Sequence, residues 1–242
     1  MKLSVDKLLS FTLAFILLTV SFAPITGTAL GNLPSSWAVD SVEKATSLGL
    51  ATDDLTNGYQ APTTRAEFCR AAVNLLRKYG HEFDETAPQM FDDTDDYEIG
   101  VTAALGIVAG TGNNNFTPNN PLTRQEAATL LRNVLNVLGI DTALPSVILW
   151  SDTKDIASWA QSAVDVMYGA KIMSGTSSSE LLFSPKTPYT HEQSIITLLN
   201  LWQYVGGDEM SSEADSNETI DYDDSYYDDT LLDDDEIEEA VG

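Results

Sequence analysis

Apolar residues recur with a helical period in three separate stretches of the chain. Their spacing of i, i+3, i+4 and i+7 places them on one face of a helix. The three stripes are Cys69, Ala72, Val73 and Leu76; Ala127, Leu130, Leu131, Val134 and Leu138; and Ile195, Ile196, Leu199 and Trp202. One short helix with such a face buries little on its own, so we expect the three helices to share a continuous core around a common axis.

Each of these helices follows the same local signal, Thr-x-x-Glu or Thr-x-x-Gln. The copies read TRAE from Thr64, TRQE from Thr123 and THEQ from Thr190. This pattern is the capping box, in which the threonine hydroxyl accepts the third amide of the helix and the Glu or Gln reaches back to the threonine amide. The sequence therefore predicts three helix starts at these positions.

The stretch from Trp37 to Trp202 consists of three repeats, each with a first helix, a polar loop and a second helix. Arg65, Arg124 and His191 occupy the same place in each copy, with separations of 59 and 67 residues. The motifs keep the same order in each copy while the distance between copies differs. This indicates one repeated structural unit whose loops vary in length. We assign the repeats to residues 30–80, 81–139 and 140–206, the last two with a leading linker. The predicted fold class is all-α, with three helix-loop-helix units around a central three-helix bundle.

The first helix of each unit is expected to open at an aromatic residue, which is Trp37, Tyr97 or Trp159. Ser158 is a candidate N-cap for the third of these helices. Gly49 and Gly106 are expected to end the first two helices in the left-handed conformation that glycine accepts easily.

The amino-acid composition excludes several classes of function. The 242 residues include 37 acidic and 12 basic side chains, a formal net charge of −25, which excludes a nucleic-acid binder that works through a basic face. One cysteine and two histidines exclude a disulfide framework and an ordinary Cys/His zinc site. Cys69 lies on a buried stripe and is interpreted as a small core residue. No cofactor or metal site is predicted, and no catalytic motif for an enzyme is found.

The two ends of the chain differ from the repeats. Lys2 and Lys7 precede an apolar stretch that runs from Leu8 to Val20, and small residues precede Leu30, so residues 1–29 are predicted to be a secretory signal peptide. At the other end, residues 207–242 contain 16 acids and no base. We expect a disordered, solvated tail there. Weak, non-specific binding of Ca²⁺ or polycations by this tail is the alternative, although it lacks the ordered EF-hand pattern.

The arginines at the first helical position suggest a binding function. Arg65 and Arg124 lie where the helix dipole is positive and disfavours a cation, unless an anion lies nearby. Free helix amides, dipole and guanidinium together would bind a carboxylate or phosphate. The alternatives are a purely structural capping box and an exposed arginine that bends towards the acidic surface. Under the binding hypothesis, Arg124→Ala would weaken ligand affinity and leave the fold intact.

The second unit also carries a family resemblance. Its Phe91-Asp92-Asp93-Thr94 start, the GIVAGTG segment from Gly106 and the FTPNNPLTR segment from Phe116 to Arg124 together resemble S-layer homology (SLH) modules. The third unit has a similar start at Trp150, and the resemblance covers nearly all of Trp37 to Trp202.

The resemblance implies a function and a set of site residues. SLH triplets are expected to form a pseudo-threefold helical spindle that binds anionic, often pyruvylated, secondary cell-wall polysaccharide and holds exported proteins on the bacterial surface. The implied polysaccharide-binding residues are Thr64, Arg65 and Glu67; Thr123, Arg124 and Glu126; Thr190, His191 and Gln193; and the neighbours Trp37, Trp159, Gly110 and Gly175. Each tryptophan either stacks on a sugar or plugs the base of its own helix pair.

The units depart from the family pattern to different degrees. His191 and Gln193 replace the arginine and glutamate in the third unit, and Asp53 and Asp54 lie near the anion site of the first, so the second unit is the strongest candidate. The expected partners are the anionic polysaccharide and surface-layer proteins, without nucleic acid or membrane, and the oligomeric state stays open. The alternative function is a secreted interaction protein whose SLH units bind a protein partner.

Overall fold

The computed structural model describes residues 33–84, 86, 88–142 and 148–208. The helices are α1 (Val39–Ser47), α2 (Arg65–Lys78), α3 (Tyr97–Ala104), α4 (Arg124–Val137), α5 (Gln161–Gly169) and α6 (His191–Tyr204), with a short 3₁₀ helix at Thr153–Asp155. In this part of the chain the only β pairing consists of isolated bridges, so the all-α prediction is confirmed.

The predicted signal peptide lies outside the described residues, as do residues 209–242 of the predicted tail. Residues 207 and 208, the first two of the predicted tail, are described. Lys44 Nζ donates a hydrogen bond to Asp208 Oδ2 at 2.9 Å, so residue 208 is bonded to α1. Among the described helices, none combines the length and apolarity that a membrane span requires.

The capping boxes determine where the second helices begin. In α2 the Glu67 amide donates to Thr64 Oγ1, and the Thr64 amide donates to Glu67 Oε2 at 2.7 Å. Capping boxes at Thr123 and Thr190 begin α4 and α6 in the same way. The three predicted helix starts are therefore confirmed.

The first helices begin later than predicted in two units. Helix α3 begins at Tyr97 as expected, but α1 begins at Val39 and α5 at Gln161, two residues beyond Trp37 and Trp159. The N-cap of α5 is Ala160, so the prediction of Ser158 was wrong. A preceding turn explains the difference, because the Ala160 amide already donates to Ala157 O at 2.9 Å and the chain enters the helix without a side-chain cap.

Helix packing joins neighbouring units. Helix α2 packs against α3, α4 packs against α5, and α6 packs against α1. The second helix of each unit thus contacts the first helix of the next, and the last contact returns to the start of the domain. All six helices contribute to one core cluster of buried residues. Of the three second helices, α2 and α6 also contact each other directly.

A closed set of three backbone hydrogen bonds lies at the centre of this arrangement. The Thr63 amide donates to Tyr189 O at 2.7 Å, and the Leu122 amide donates to Thr63 O at 2.9 Å. The Tyr189 amide donates to Leu122 O at 2.9 Å, which closes the ring. Each of these residues stands two positions before a second helix, so the ring fixes the starts of α2, α4 and α6 relative to one another.

The reactivity of the Cys69 thiol tests the packing of α2. The residue has no exposed surface, which confirms its interpretation as a core residue, and burial raises the pKa of its thiol to about 12. We expect no reaction with a thiol reagent at about pH 8 in the native protein, because both thiolate formation and access are blocked. Full reaction in denaturant is the control, and rapid labelling of the folded protein would contradict the described packing.

Thr64→Ala tests the capping boxes. The change removes the acceptor of the Glu67 amide and is expected to lower the free energy of unfolding by about 1 kcal/mol. Chemical denaturation monitored by circular dichroism measures this difference. Ser179→Ala is the matched control, because its exposed hydroxyl contacts only Ser177 in the same loop, and it should leave the transition unchanged. An equal effect of the two substitutions would exclude a special role for the cap.

Candidate ligand-binding grooves

Two grooves of the same construction lie between neighbouring units. Groove A, of about 500 Å³, is lined by Arg65, the loop at residues 106–111, Glu126, Thr129, Leu130, Asn133 and Trp159. Groove B, of about 360 Å³, is lined by Arg124, the loop at residues 171–176, Gln193, Ile196, Thr197, Asn200 and Trp37. The residues correspond position by position, because Arg124, Gln193, Asn200 and Trp37 take the places of Arg65, Glu126, Asn133 and Trp159.

The grooves combine residues from different units. The sequence predicts one site at Thr64, Arg65 and Glu67 and another at Thr123, Arg124 and Glu126. The structure instead brings Arg65 together with Glu126, and Arg124 together with Gln193. The reason is that the start of each second helix faces the loop of the following unit. A groove therefore exists only when neighbouring units are packed.

Both arginines bind the protein's own backbone. Arg65 donates from Nε to Phe116 O at 2.9 Å and from Nη2 to Ala109 O at 2.6 Å. Arg124 donates in the same way to Phe183 O at 3.0 Å and to Ser174 O at 2.8 Å. Their guanidinium carbons lie 4.1 Å and 4.9 Å from the ring centroids of Phe116 and Phe183. Each arginine thus clamps the loop of the next unit.

This geometry corrects the expected effect of Arg124→Ala. Arg124 is only 5% exposed, so it is not a surface arginine bent towards acidic groups. Burial lowers the pKa of Arg65 and of Arg124, because desolvation disfavours the charged form. Truncating Arg124 would leave two carbonyl oxygens without their donor, so the fold should lose stability as well as any contact with a ligand.

The helix amides are not free for an anion, contrary to our expectation. The amides of Arg65 and Ala66 donate to Asn120 O and Pro118 O, both at 3.0 Å. Those of Arg124 and Gln125 donate to carbonyl oxygens of residues 187 and 185 in the same manner. The converging carbonyl oxygens supply the negative potential that makes a cation acceptable at this position. What faces the grooves is the remainder of each guanidinium, since no described residue accepts a hydrogen bond from Nη1 of either arginine.

The two tryptophans are exposed at the grooves. Trp37 is 61% exposed and lines groove B, while Trp159 is 57% exposed and lines groove A. A residue that plugged the base of its own helix pair would be buried, so the exposure argues against that alternative. Each indole presents a flat apolar surface with one hydrogen-bond donor to the solvent.

Gly110 and Gly175 allow the loops to fold against their neighbours. A Cβ on Gly110 would lie 2.8 Å from both Asn115 O and Phe91 Cε1, and a Cβ on Gly175 would lie 3.1 Å from Leu182 O. Both residues line a groove. A close backbone approach within the loop therefore accounts for these glycines without reference to a ligand.

Aspartates of the motifs from Phe91 and Trp150 hold the same loops from the other side. The amides of Phe116 and Thr117 donate to Asp93 Oδ1 and Oδ2, at 2.8 Å and 2.7 Å. The hydrogen bond from the Phe116 amide lowers the pKa of Asp93. Asp152 accepts the equivalent amides at residues 183 and 184. Both carboxylate oxygens of Asp93 thus accept hydrogen bonds from the loop backbone.

The third interface, where α6 meets the first unit, differs from both grooves. Arg70 takes the place of Thr129 and Ile196 and donates to Asp54 Oδ2 at 2.5 Å and to Asp96 Oδ2 at 2.7 Å. His191 is 4% exposed, and its Nε2 lies 3.3 Å from Glu67 Oε2. The ion pairs of Arg70 therefore bridge this interface, whereas Thr129 and Ile196 line the grooves of the other two. Thr190 remains a capping residue here.

Three asparagines of the site were missed by the sequence analysis. Asn74, Asn133 and Asn200 each donate from Nδ2 to a loop carbonyl, those of Gly49, Ile107 and Ile172, at 2.9–3.1 Å. Each stands nine positions after Arg65, Arg124 or His191. Alignment of the repeats beyond the capping box would have found them. Within the described ranges, no cluster of three or more His, Cys, Asp or Glu side chains could hold a metal ion.

Comparison with known proteins agrees with the resemblance seen in the sequence. The family model described as "S-layer homology domain" matches residues 96–128 and 151–193, which fall within the second and third predicted repeats. The assignment of residues 30–80 as a further repeat stays a prediction.

A curated relative is an endoglucanase from Bacillus sp. (strain KSM-635). It is 32% identical to this chain over 151 residues, which make up 60% of the chain and 15% of the endoglucanase. Because the match spans so little of that enzyme, its activity is a property of the relative alone. The two matched segments support the assignment of the second and third units to the S-layer homology domain family.

Proposed function

We propose that this protein attaches non-covalently to the bacterial cell wall by binding an anionic secondary cell-wall polysaccharide in grooves A and B. The family supplies the general role, since S-layer homology domains are typically anchoring domains rather than catalytic ones. The observation that supports the site most directly is that one groove is built twice, each time with an exposed tryptophan beside a clamped arginine. The cell surface is the corresponding location.

The linings suit a saccharide. Each groove has an exposed indole that can stack on the apolar face of a sugar ring. Threonine side chains and loop backbone groups lie around it as hydrogen-bonding partners for hydroxyl groups. Volumes of about 500 Å³ and 360 Å³ fall in the usual range for small-ligand sites. The free edge of each guanidinium adds hydrogen-bond donors beside the sugar.

The repetition of the site matters for a polymer. A polysaccharide offers many copies of its repeating unit, so two grooves on one domain can engage one wall at the same time. Once the first groove is filled, the second binds at a high effective concentration. Weak individual sites can thereby produce stable attachment without a covalent bond.

Sedimentation with purified wall sacculi tests the proposal. The protein should sediment with intact sacculi and stay in solution with sacculi from which the polysaccharide has been extracted. If the extracted sacculi still bind it, the ligand is a different wall component. If neither preparation binds it, the alternative of a protein partner gains support.

Substitution of the tryptophans tests the grooves themselves. Trp37→Ala and Trp159→Ala are each expected to lower the affinity for isolated wall polysaccharide about tenfold, because the stacking surface is lost while the fold is kept. The double variant should no longer sediment. Isothermal titration calorimetry measures the affinities, and circular dichroism checks the helicity.

Tyr204→Ala is the matched control. Tyr204 is an aromatic residue that is 45% exposed and lines neither groove. Its substitution should leave binding unchanged. Equal losses in all three variants would show that exposed aromatic surface in general, rather than the grooves, binds the polymer.

A further inference from the structure

Grooves A and B share their construction but differ in charge. In groove A the positive charge of Arg65 faces the carboxylate of Glu126, which lies close enough to act on it electrostatically. In groove B the equivalent position is Gln193, which is neutral. The lining of groove B contains two basic side chains, Arg124 and Lys171, and no acidic one. The charges of Arg65 and Glu126 therefore cancel in groove A, whereas Arg124 and Lys171 give groove B two positive charges.

Lys171 differs from the residues at the equivalent positions of the other two units. It follows α5 with a φ of 59°, in the left-handed region. The equivalent residues after α1 and α3 are Gly49 and Gly106, with φ of 65° and 72°. A lysine in this conformation is strained, whereas glycine is not. Such a strained residue at a site is grounds for seeking a function for its side chain.

The side chain of Lys171 is available to a ligand. Lys171 is exposed at the edge of groove B, and no described residue forms an ion pair with it. The groove's other cation, Arg124, is committed to two backbone carbonyls and retains only part of its donor capacity. A ligand with an acidic substituent would thus find a free ammonium group beside a fixed guanidinium.

We propose that groove B is selective for the negatively charged sugar unit of the wall polysaccharide, with Lys171 as its specificity-determining residue, and that groove A binds a neutral unit of the same polymer. The inference rests on the proposed function, since it divides the polysaccharide between the two grooves. Attraction in groove B should weaken with salt, whereas binding in groove A should respond little to it.

Variants with a single working groove separate the two contributions. Trp159→Ala leaves groove B as the reporter, and Trp37→Ala leaves groove A. The ligand is isolated wall polysaccharide in three forms: native, carboxyl-amidated, and dephosphorylated with hydrofluoric acid. The treatment that weakens binding to groove B identifies the acidic substituent as a carboxylate or as a phosphate.

Lys171→Gly in the Trp159→Ala background is the central variant. Glycine is the natural residue at the two equivalent positions, so the fold should be kept. Affinity for the native polymer should fall about fivefold, and affinity for the neutralised polymer should not change. Lys154→Ala removes the same charge from an exposed position outside the groove and should have no such effect.

Glu126→Gln in the Trp37→Ala background is the reciprocal variant. It gives groove A the side chain found at Gln193 and keeps the capping box, because glutamine caps α6 in the same way. Affinity of groove A for the native polymer should rise several-fold, about as much as a nearby charge contributes.

The outcomes distinguish this inference from the proposed function. If the parent protein does not bind the polysaccharide, the proposed function is wrong. If the parent binds but Lys171→Gly retains full affinity, the inference is wrong and anchoring stands. Equal losses on native and neutralised polymer would also overturn it, because Lys171 would then act through contact rather than charge.

Discussion

The closed ring of backbone hydrogen bonds among Thr63, Leu122 and Tyr189 is the constraint on which the rest of the structure depends. All three residues are almost fully buried, where an unpaired amide or carbonyl would be costly. Each bond joins a different pair of units, so the ring closes only when all three units meet. The ring brings the starts of α2, α4 and α6 together, and from there each helix meets the loop of the following unit.

The same constraint links the formation of the two grooves to folding. Arg65 and Arg124 reach the carbonyls of the next unit only because the helix starts are held in place, and their clamps shape the loops that line the grooves. The loops are also held by Asp93 and Asp152 from the opposite side. The grooves thus form where two units pack together. Most of their polar residues form hydrogen bonds that stabilise this packing. The tryptophans and Lys171 are the exceptions, because exposed side chains contribute little to that packing.

The sequence predicted those features of the structure that depend on residues close together in the chain. Capping boxes at Thr64, Thr123 and Thr190 and the apolar stripes behind them predicted three helices correctly, because both patterns depend on neighbours within a few residues. The composition of the grooves could not be obtained in this way. The capping box shows that Arg65 begins a helix but not that Glu126 lies in the same groove, since this pairing depends on how the units pack. The late starts of α1 and α5 were missed because backbone turns, not side-chain caps, lead into them.

The contact between α1 and α6 determines how the domain would respond to a pulling force. Ser35, just before α1, donates to Glu192 in the first turn of α6, and Lys44 near the end of α1 bonds to Asp208 just beyond α6. The two helices therefore run side by side in the same direction. Tension applied at residues 33 and 208 would act along both helices in opposite senses. It would load their whole interface in shear, so that contacts must break together rather than one after another.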